Sequence, residues 1–358
     1  VQVYPGNTGD PSTVLDQVDT LNQRFALERV ILVGDRGMLT QTQIDALRQF
    51  PGIGWISALR SEKIRALSDE KHLQLTLFDK QRLAEIQSPD FPGERLIACF
   101  NPLLAGERAR KRTALVKATE LALEKIRKEV RRRTKTPLSA AEIGQKVGKV
   151  INRFKVGKHF ETTIAEGKFS YTRDTESIER ESELDGLYVI RTSEPKQTLS
   201  AEDTVRSYKN LSRVEWAFRT LKGLDLQIRP IHHRTESRVR AHIFLCLLAY
   251  YVEWHMRQAW APLLFDDEAL PTARTQRDPV TPAEPSASAK EKKVARVTED
   301  GLPIQSFTTL MAELGTRCRN RCRLKSDPHS PAIYMDTDPT PLQARAMELL
   351  RLFPVAGN

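Results

Sequence analysis

The chain has 358 residues, 40% of them hydrophobic, enough for a real core and too many for a single compact lobe. Lysine and arginine number 56 against 46 aspartates and glutamates, a formal charge of +10 that suits a partner made of phosphates. A mean hydropathy of −0.45 and the lack of any apolar run near ~20 residues argue against a membrane-spanning helix. The most apolar stretch, residues 243–252, is flanked by His242, Glu253 and His255. No basic segment followed by an apolar one opens the chain, which sets aside a secretory signal. Four cysteines are too few for a disulfide framework and fit a reducing cytoplasm. Cys246 sits in an apolar run and reads as core. Cys318 and Cys322 lack a second Cys/His pair at zinc spacing.

In chain order, residues 1–60 alternate strand and helix. Residues 1–4 read as a short strand, closed by Pro5-Gly6-Asn7. Asp10-Pro11-Ser12 opens a helix carrying Val14, Leu15, Val18, Leu21 and Phe25 at three-to-four spacing. Residues 29–34 form a buried β run ending at Asp35-Arg36-Gly37-Met38. Thr40 starts a second helix with Ile44, Leu47 and Phe50 on one face, and residues 53–59 make the next strand. Strand, helix and strand at this spacing predict a parallel α/β unit.

Residues 61–185 change character and read as an insertion domain. Residues 96–100 are a strand. Residues 106–135 form one long helix with 12 basic and 4 acidic residues and a seam of Leu115, Leu121, Ile126 and Val130. That helix is either a surface for a phosphate backbone or a solvated amphipathic helix. Residues 160–171 alternate like strand, and the β run at 186–191 returns to the core. Residues 186–265 form the second part of that core. Within it, residues 200–262 are helical, with Ser200 as N-cap and Asp203 at N3. Residues 266–300, rich in Pro, Ala, Ser and Lys, read as a flexible linker. Residues 301–358 read as a basic helical segment, with Phe307, Leu310, Met311 and Leu314 on one helix, then an Arg-rich run over 317–325.

Two places could carry chemistry. Asp35 stands just past a buried strand, where α/β sheets gather ligands and metals. The alternative is a turn-forming Asp. The second place is a helix over 206–222. With Tyr208 at 0°, a 100° step puts Glu215 at roughly 340°, Lys222 at roughly 320° and Arg219 at roughly 20°. Leu211, Val214, Phe218 and Leu221 fall on the adjacent stripe, which predicts a buried seam with Glu215 at its edge. A carboxylate there can bind a hard divalent ion. The alternative is a solvated face with a Glu215–Arg219 pair. Gly223 ends this helix, a strand-like segment follows over 228–233, and Arg234, Arg238 and Arg240 follow it. Residues 206–240 hold nine basic and three acidic residues, which suits a metal site working on a polyanion.

Residues 34–38 (Gly-Asp-Arg-Gly-Met), the Tyr208, Glu215, Lys222 spacing, Phe218-Arg219-Thr220-Leu221-Lys222 and Ile228-Arg229-Pro230-Ile231-His232-His233 together resemble the DDE transposases of bacterial insertion sequences. The subgroup is the one with a Tyr-x2-Arg-x3-Glu-x6-Lys helix signature and a β-rich insertion. The resemblance spans about residues 1–260, and 301–345 is similar to that family's C-terminal end. It implies an enzyme with a ribonuclease H-like α/β core, a mixed sheet flanked by helices and interrupted by a partly β insertion domain.

It further implies catalytic, metal-binding roles for Asp35 and Glu215 with two Mg²⁺ (or Mn²⁺) ions, and DNA contacts from Tyr208 and Lys222. Arg219, Arg229 and His232 join the expected DNA-binding set. The signature's Arg position is Leu211 here, and Arg219 lies on the right face to replace it. The partners implied are double-stranded DNA, as transposon ends and target, and a second copy in a synaptic homodimer. The setting implied is the bacterial cytoplasm and nucleoid. No residue matches the family's first Asp, since Asp10 and Asp16 read as loop and helix. The expectation is therefore an N-terminally truncated chain without activity as it stands. The competing functions are a ribonuclease H-like nuclease or resolvase and a decayed, non-catalytic DNA-binding protein.

Overall fold

The computed structural model describes residues 2–352 except 26, 79–80, 224–225, 282–283, 324–325, 327–328 and 330. Val1 of the expected first strand, and Leu324 and Lys325 of the basic run, lie outside the described residues. The chain divides into two compact units, residues 7–211 and residues 1–6 with 212–358.

The unit 7–211 is built on a five-stranded mixed sheet. Its elements run α1 (Val14–Phe25), β1 (Val30–Val33), α2 (Gln41–Leu47), β2 (Ile53–Ala58), α3 (Ser61–Asp69), β3 (Leu83–Ile86), β4 (Arg95–Phe100), α4 (Pro102–Arg132), α5 (Ala140–Phe154), β5 (Phe160–Ala165), β6 (Lys168–Arg173), α6 (Thr175–Ser182), β7 (Leu187–Thr192) and α7 (Ala201–Lys209). The sheet order is β1-β2-β7-β4-β3. β1 and β2 pair in parallel from Val30 opposite Ile53 to Val33 opposite Ile56, and the remaining neighbours are antiparallel. Val14, Val18, Ile44 and Leu47 pack with Trp55 in one apolar cluster. Ile64 and Leu67 of α3 pack with Leu96, Ala98 and Val189 in another. This is the mixed α/β architecture that the family resemblance implies, with helices flanking the sheet.

Several boundaries differ from the sequence reading. Residues 2–4 form no strand; no described strand pairs with them. β3 and β4 belong to the central sheet, so residues 61–100 are not part of a separate insertion. The excursion leaves at Asn101 and returns at Gly186, whose carbonyl accepts from the Asn101 N–H at 3.0 Å. Gly186 has φ +78°, and a Cβ there would lie 2.6 Å from the Asn101 carbonyl oxygen, so only glycine closes this junction.

The excursion has its own core of Val116, Leu123, Ile126 and Val130 from α4, Ile143 and Val147 from α5, and Phe160 and Phe169 from the β5–β6 hairpin. Leu121, assigned to the α4 seam from sequence, is 58% exposed. The seam runs 116, 119, 123, 126, 130, and Leu121 lies about 200° round the helix from Leu123.

The other unit comprises α8 (Leu211–Lys222), α9 (Glu236–Ala259), α10 (Leu270–Gln276), α11 (Ala287–Ala295), α12 (Phe307–Leu314), a hairpin of β8 (Arg319–Cys322) and β9 (Ile333–Asp336), and α13 (Pro341–Leu352). Its core joins Trp260, Leu263 and Leu264 to Leu310, Leu342 and Ala346. The compositional linker 266–300 is folded rather than loose over its described residues. It holds α10 and α11, and Asp267 accepts from Ser286 N and Oγ at 2.8 and 2.6 Å. Lys292 Nζ donates to Ala261 O at 2.9 Å. Polar staples hold this segment, so its low apolar content does not leave it free. Residues 228–233 form no strand; Pro230 lacks the N–H a ladder needs. No helix among the described residues is long and apolar enough to cross a membrane.

Candidate active site

Asp35 follows β1 at the carboxyl edge of the parallel pair. Gly34 N donates to Ile56 O at 3.1 Å, carrying the pairing one residue past the strand. A Cβ on Gly34 would stand 2.7 Å from Leu39 Cγ, so the turn comes back too close for a side chain there. Asp35 Oδ1 accepts from Gly37 N at 2.8 Å and Met38 N at 2.7 Å, an Asx-type turn that fixes the carboxylate. Oδ2 takes no part in it, and Asp35 is exposed. Asp35 is thus the turn-former of the plainer reading, yet one oxygen stays available.

A cleft of about 480 Å³ opens there, lined by Asp35, Arg36, Gly37, Arg60, Ser61 and Glu62. Arg60 is the N-cap of α3 and no side chain caps that helix end. The cleft therefore carries the positive end of a helix beside two arginines, which favours an anionic ligand. Sequence reasoning missed Arg60, Ser61 and Glu62. The available signal was their position just past β2, matching that of Asp35 just past β1.

The helix expected over 206–222 is two helices, α7 and α8, with a turn at Asn210. Asn210 N donates to Arg206 O and Ser207 O, and asparagine is a weak helix former. Tyr208 lies half-buried on α7. Glu215, Arg219 and Lys222 lie exposed on α8, one or two turns apart on one face. The expected buried seam is a correction: Val214 and Phe218 are exposed, and only Leu221 is buried. Aromatic contacts stand in its place, with Trp216 and Tyr250 at 6.2 Å and Lys222 Nζ 5.9 Å from the Phe218 ring centre. No ion pair joins Glu215 to Arg219 among the described residues. Arg229 and His232 are exposed. Asp35 and Tyr208 belong to the unit 7–211, and Glu215, Arg219, Lys222, Arg229 and His232 to the other.

Asp35 Oδ2 and the Glu215 carboxylate are hard oxygen donors without an ion-pair partner among the described residues, a chemistry suited to an ion such as Mg²⁺. Among the described residues no three His, Cys, Asp or Glu side chains form a metal-binding group.

The mixed sheet flanked by helices, in the order β1-β2-β7-β4-β3, is consistent with a ribonuclease H-like core. The family model described as Transposase DDE domain matches residues 1–252, and the chain belongs to that family. No curated protein and no solved structure matches it. The chain is thus a DDE transposase, an enzyme acting on DNA, whose family generally uses divalent metal ions.

Proposed function

We propose that the protein performs metal-dependent cleavage and strand transfer at the ends of its insertion element, with Asp35 and Glu215 as metal-binding carboxylates. The observation that carries this reading is the Asp35 carboxylate, pinned through Oδ1 with Oδ2 left over, in a cleft flanked by Arg36 and Arg60. Pinning removes the reorganisation that would otherwise accompany each ligand exchange. Arg36 and Arg60 hold phosphate oxygens near Asp35, and the α3 N-terminus adds favourable potential. On α8, Glu215 supplies the second carboxylate, while Arg219 and Lys222 on the same face meet the DNA backbone. Tyr208, Arg229 and His232 complete that DNA-facing set. Two Mg²⁺ or Mn²⁺ ions, when bound, supply activation of the attacking hydroxyl and charge stabilisation on the leaving oxygen. Two copies pair two ends in a synaptic homodimer on nucleoid DNA in the cytoplasm.

The test is a cleavage and joining assay with the protein on duplexes carrying the element's ends. Asp35→Asn and Glu215→Gln each abolish cleavage while duplex binding stays. Asp35→Cys restores cleavage in Mn²⁺ but not Mg²⁺, since thiolate is a soft ligand. Cleavage that never yields a joined product makes the protein a nuclease. Duplex binding with no cleavage in any divalent ion makes it a non-catalytic binder.

A further inference from the structure

A second cleft, of about 980 Å³, lies within the unit 7–211, between α3, the first turns of α4, the end of α5 and the turn after α6. Its cations fall into two groups. Arg112 is committed to the fold: it pairs bidentately with Asp185, both side chains largely buried. Lys158 is committed to Glu181 at 3.0 Å. Arg65, Lys111, Arg153 and Lys155 line the same cleft with no carboxylate partner among the described residues. Among the described residues Arg153 meets the Phe154 ring, 5.3 Å from its centre, and no carboxylate. Arg108 is aimed by two backbone carbonyls, Leu184 O at 3.3 Å and Leu187 O at 3.5 Å, which fix its direction without cancelling its charge.

Five uncompensated cations thus face two remaining acids, Glu62 and Asp69. Ion pairs tie down the structural charges, and the surplus comes from separate elements along one opening. A compact anion needs one cluster, whereas a spread of this kind suits a chain of phosphates. Ser61 and Glu62, on the first turn of α3, line both this cleft and the Asp35 cleft. The two openings share a wall.

We infer that this cleft is a track for the DNA backbone leading to Asp35, with Arg65, Arg108, Lys111, Arg153 and Lys155 as its phosphate contacts. The inference rests on the reading of Asp35 as the catalytic centre only for where the track leads. The long basic helix α4 then meets DNA at its N-terminal turns. Farther along, Arg127 and Arg133 pair with Glu124 and Glu129.

The experiment titrates a fluorescent duplex carrying the element's end against the full chain in EDTA, over a range of salt, beside a thermal melt. The variant Arg65→Ala/Lys111→Ala/Arg153→Ala/Lys155→Ala is expected to make the log–log salt slope shallower by about three to four and to weaken binding at least about tenfold. Its melting midpoint stays at the wild-type value. Arg112→Ala does the reverse, lowering the midpoint with little change in slope. Asp69→Asn, which removes a facing negative charge, tightens binding. A wild-type slope and affinity in the fourfold variant, or weaker binding by Asp69→Asn, overturns the track. Should the fourfold variant melt early, Lys155→Glu alone decides: unchanged binding overturns the track, and weaker binding supports it. Asp35→Asn in the same titration neither flattens the slope nor weakens binding, so a failure of the catalytic assignment and a failure of the track read out separately.

Discussion

Glu94 and Arg191 form a bidentate pair inside the unit 7–211, with Arg191 Nε and Nη2 donating to the two carboxylate oxygens at 2.6 and 2.5 Å. Their side chains are 0% and 8% exposed. Arg48 adds a third contact at 2.6 Å, Gln41 Oε1 accepts from Arg191 Nη1 at 3.0 Å, and the guanidinium lies 5.0 Å from the Phe91 ring centre. The cluster bolts β7 to α2 and to the turn before β4. Its worth lies in completeness: a lone buried charge is costly, while the whole pair can be replaced at little loss. Glu94→Ala is expected to lower stability by about 3–5 kcal/mol, read as a fall in the urea midpoint. Glu94→Leu with Arg191→Met recovers much of that. A double variant as unstable as the single one shows that the cluster acts by geometry rather than by charge balance.

Gly34 and Leu39 set the Asp35 turn. Leu39 is buried, so it cannot yield freely to a methyl group 2.7 Å from its Cγ. Gly34→Ala is expected to cost about 1–3 kcal/mol by overpacking and to displace the Asx turn, so cleavage falls more steeply than stability. The measurements are a chemical melt and a cleavage rate on one preparation. A cleavage rate that survives Gly34→Ala shows that Asp35 does not need this turn.

The Asp35 carboxylate allows a cleaner separation. Asparagine keeps an oxygen to accept from Gly37 N and Met38 N, so Asp35→Asn preserves the turn and changes only the outward atom. Unfolding free energy is expected within about 0.5 kcal/mol of wild type, with cleavage down at least about 100-fold. A large fall in stability assigns Asp35 to the turn and removes the case for a ligand.

The sheet's parallel half was legible because β1 and β2 are short apolar runs separated by an amphipathic helix, a pattern local to about thirty residues. Asp35 was legible for the same reason, and Ser200 as a cap because capping is local. Residues 96–100 were legible as a strand but β3 was not, and neither was joined to the central sheet: β3 pairs with β4, β4 pairs with β7 some ninety residues later, and the β run at 186–191 says that the chain returns to a core without saying beside which strand. The α8 seam failed on a different ground. Its apolar residues have helical spacing, but spacing says only that a face exists and not that something covers it. The cleft beside Asp35 needed the register of Val33 opposite Ile56, which brings Arg60 and Glu62 to the same edge. The folded segment 266–300 was hidden because polar bonds at Asp267 and Lys292 leave no periodic signature.

Leu121 and Leu123 test whether α4 packs by the seam the structure shows. Leu123 is fully buried among Val116, Ile126 and Ile143, whereas Leu121 stands in solvent. Leu123→Ala is expected to cost about 2–5 kcal/mol through lost burial and the cavity left behind. Leu121→Ala stays within about 0.5 kcal/mol. Equal costs in urea melts return the seam to Leu121 and turn the helix.

The excursion also carries a pH dependence that can be assigned to named acids. Glu142 closes a capping box on α5: it accepts from Ser139 N at 2.9 Å while Ser139 Oγ accepts from Glu142 N at 3.3 Å. The Ser139 N–H, then its hydroxyl, holds the Glu142 carboxyl below the usual range. Glu129 is lowered chiefly by Lys146, whose Nζ sits 2.9 Å away, and Glu124 chiefly by Arg127 at 2.6 Å. A carboxylate with a depressed folded-state pKa binds its proton less readily when folded. Its stabilisation is complete above the unfolded value, about 4.3 for glutamate, and is lost as pH falls through the lower folded value. Hydrogen exchange at the first amides of α5 is therefore expected to lose protection as pH drops below about 4. Glu142→Gln, which keeps an acceptor but cannot ionise, flattens the part of that dependence due to the cap. High salt weakens the share due to Glu129 and Lys146, a half-buried pair, and leaves the cap's share in place. Protection that is flat with pH in the wild-type chain, or equally steep in Glu142→Gln, contradicts the assignment.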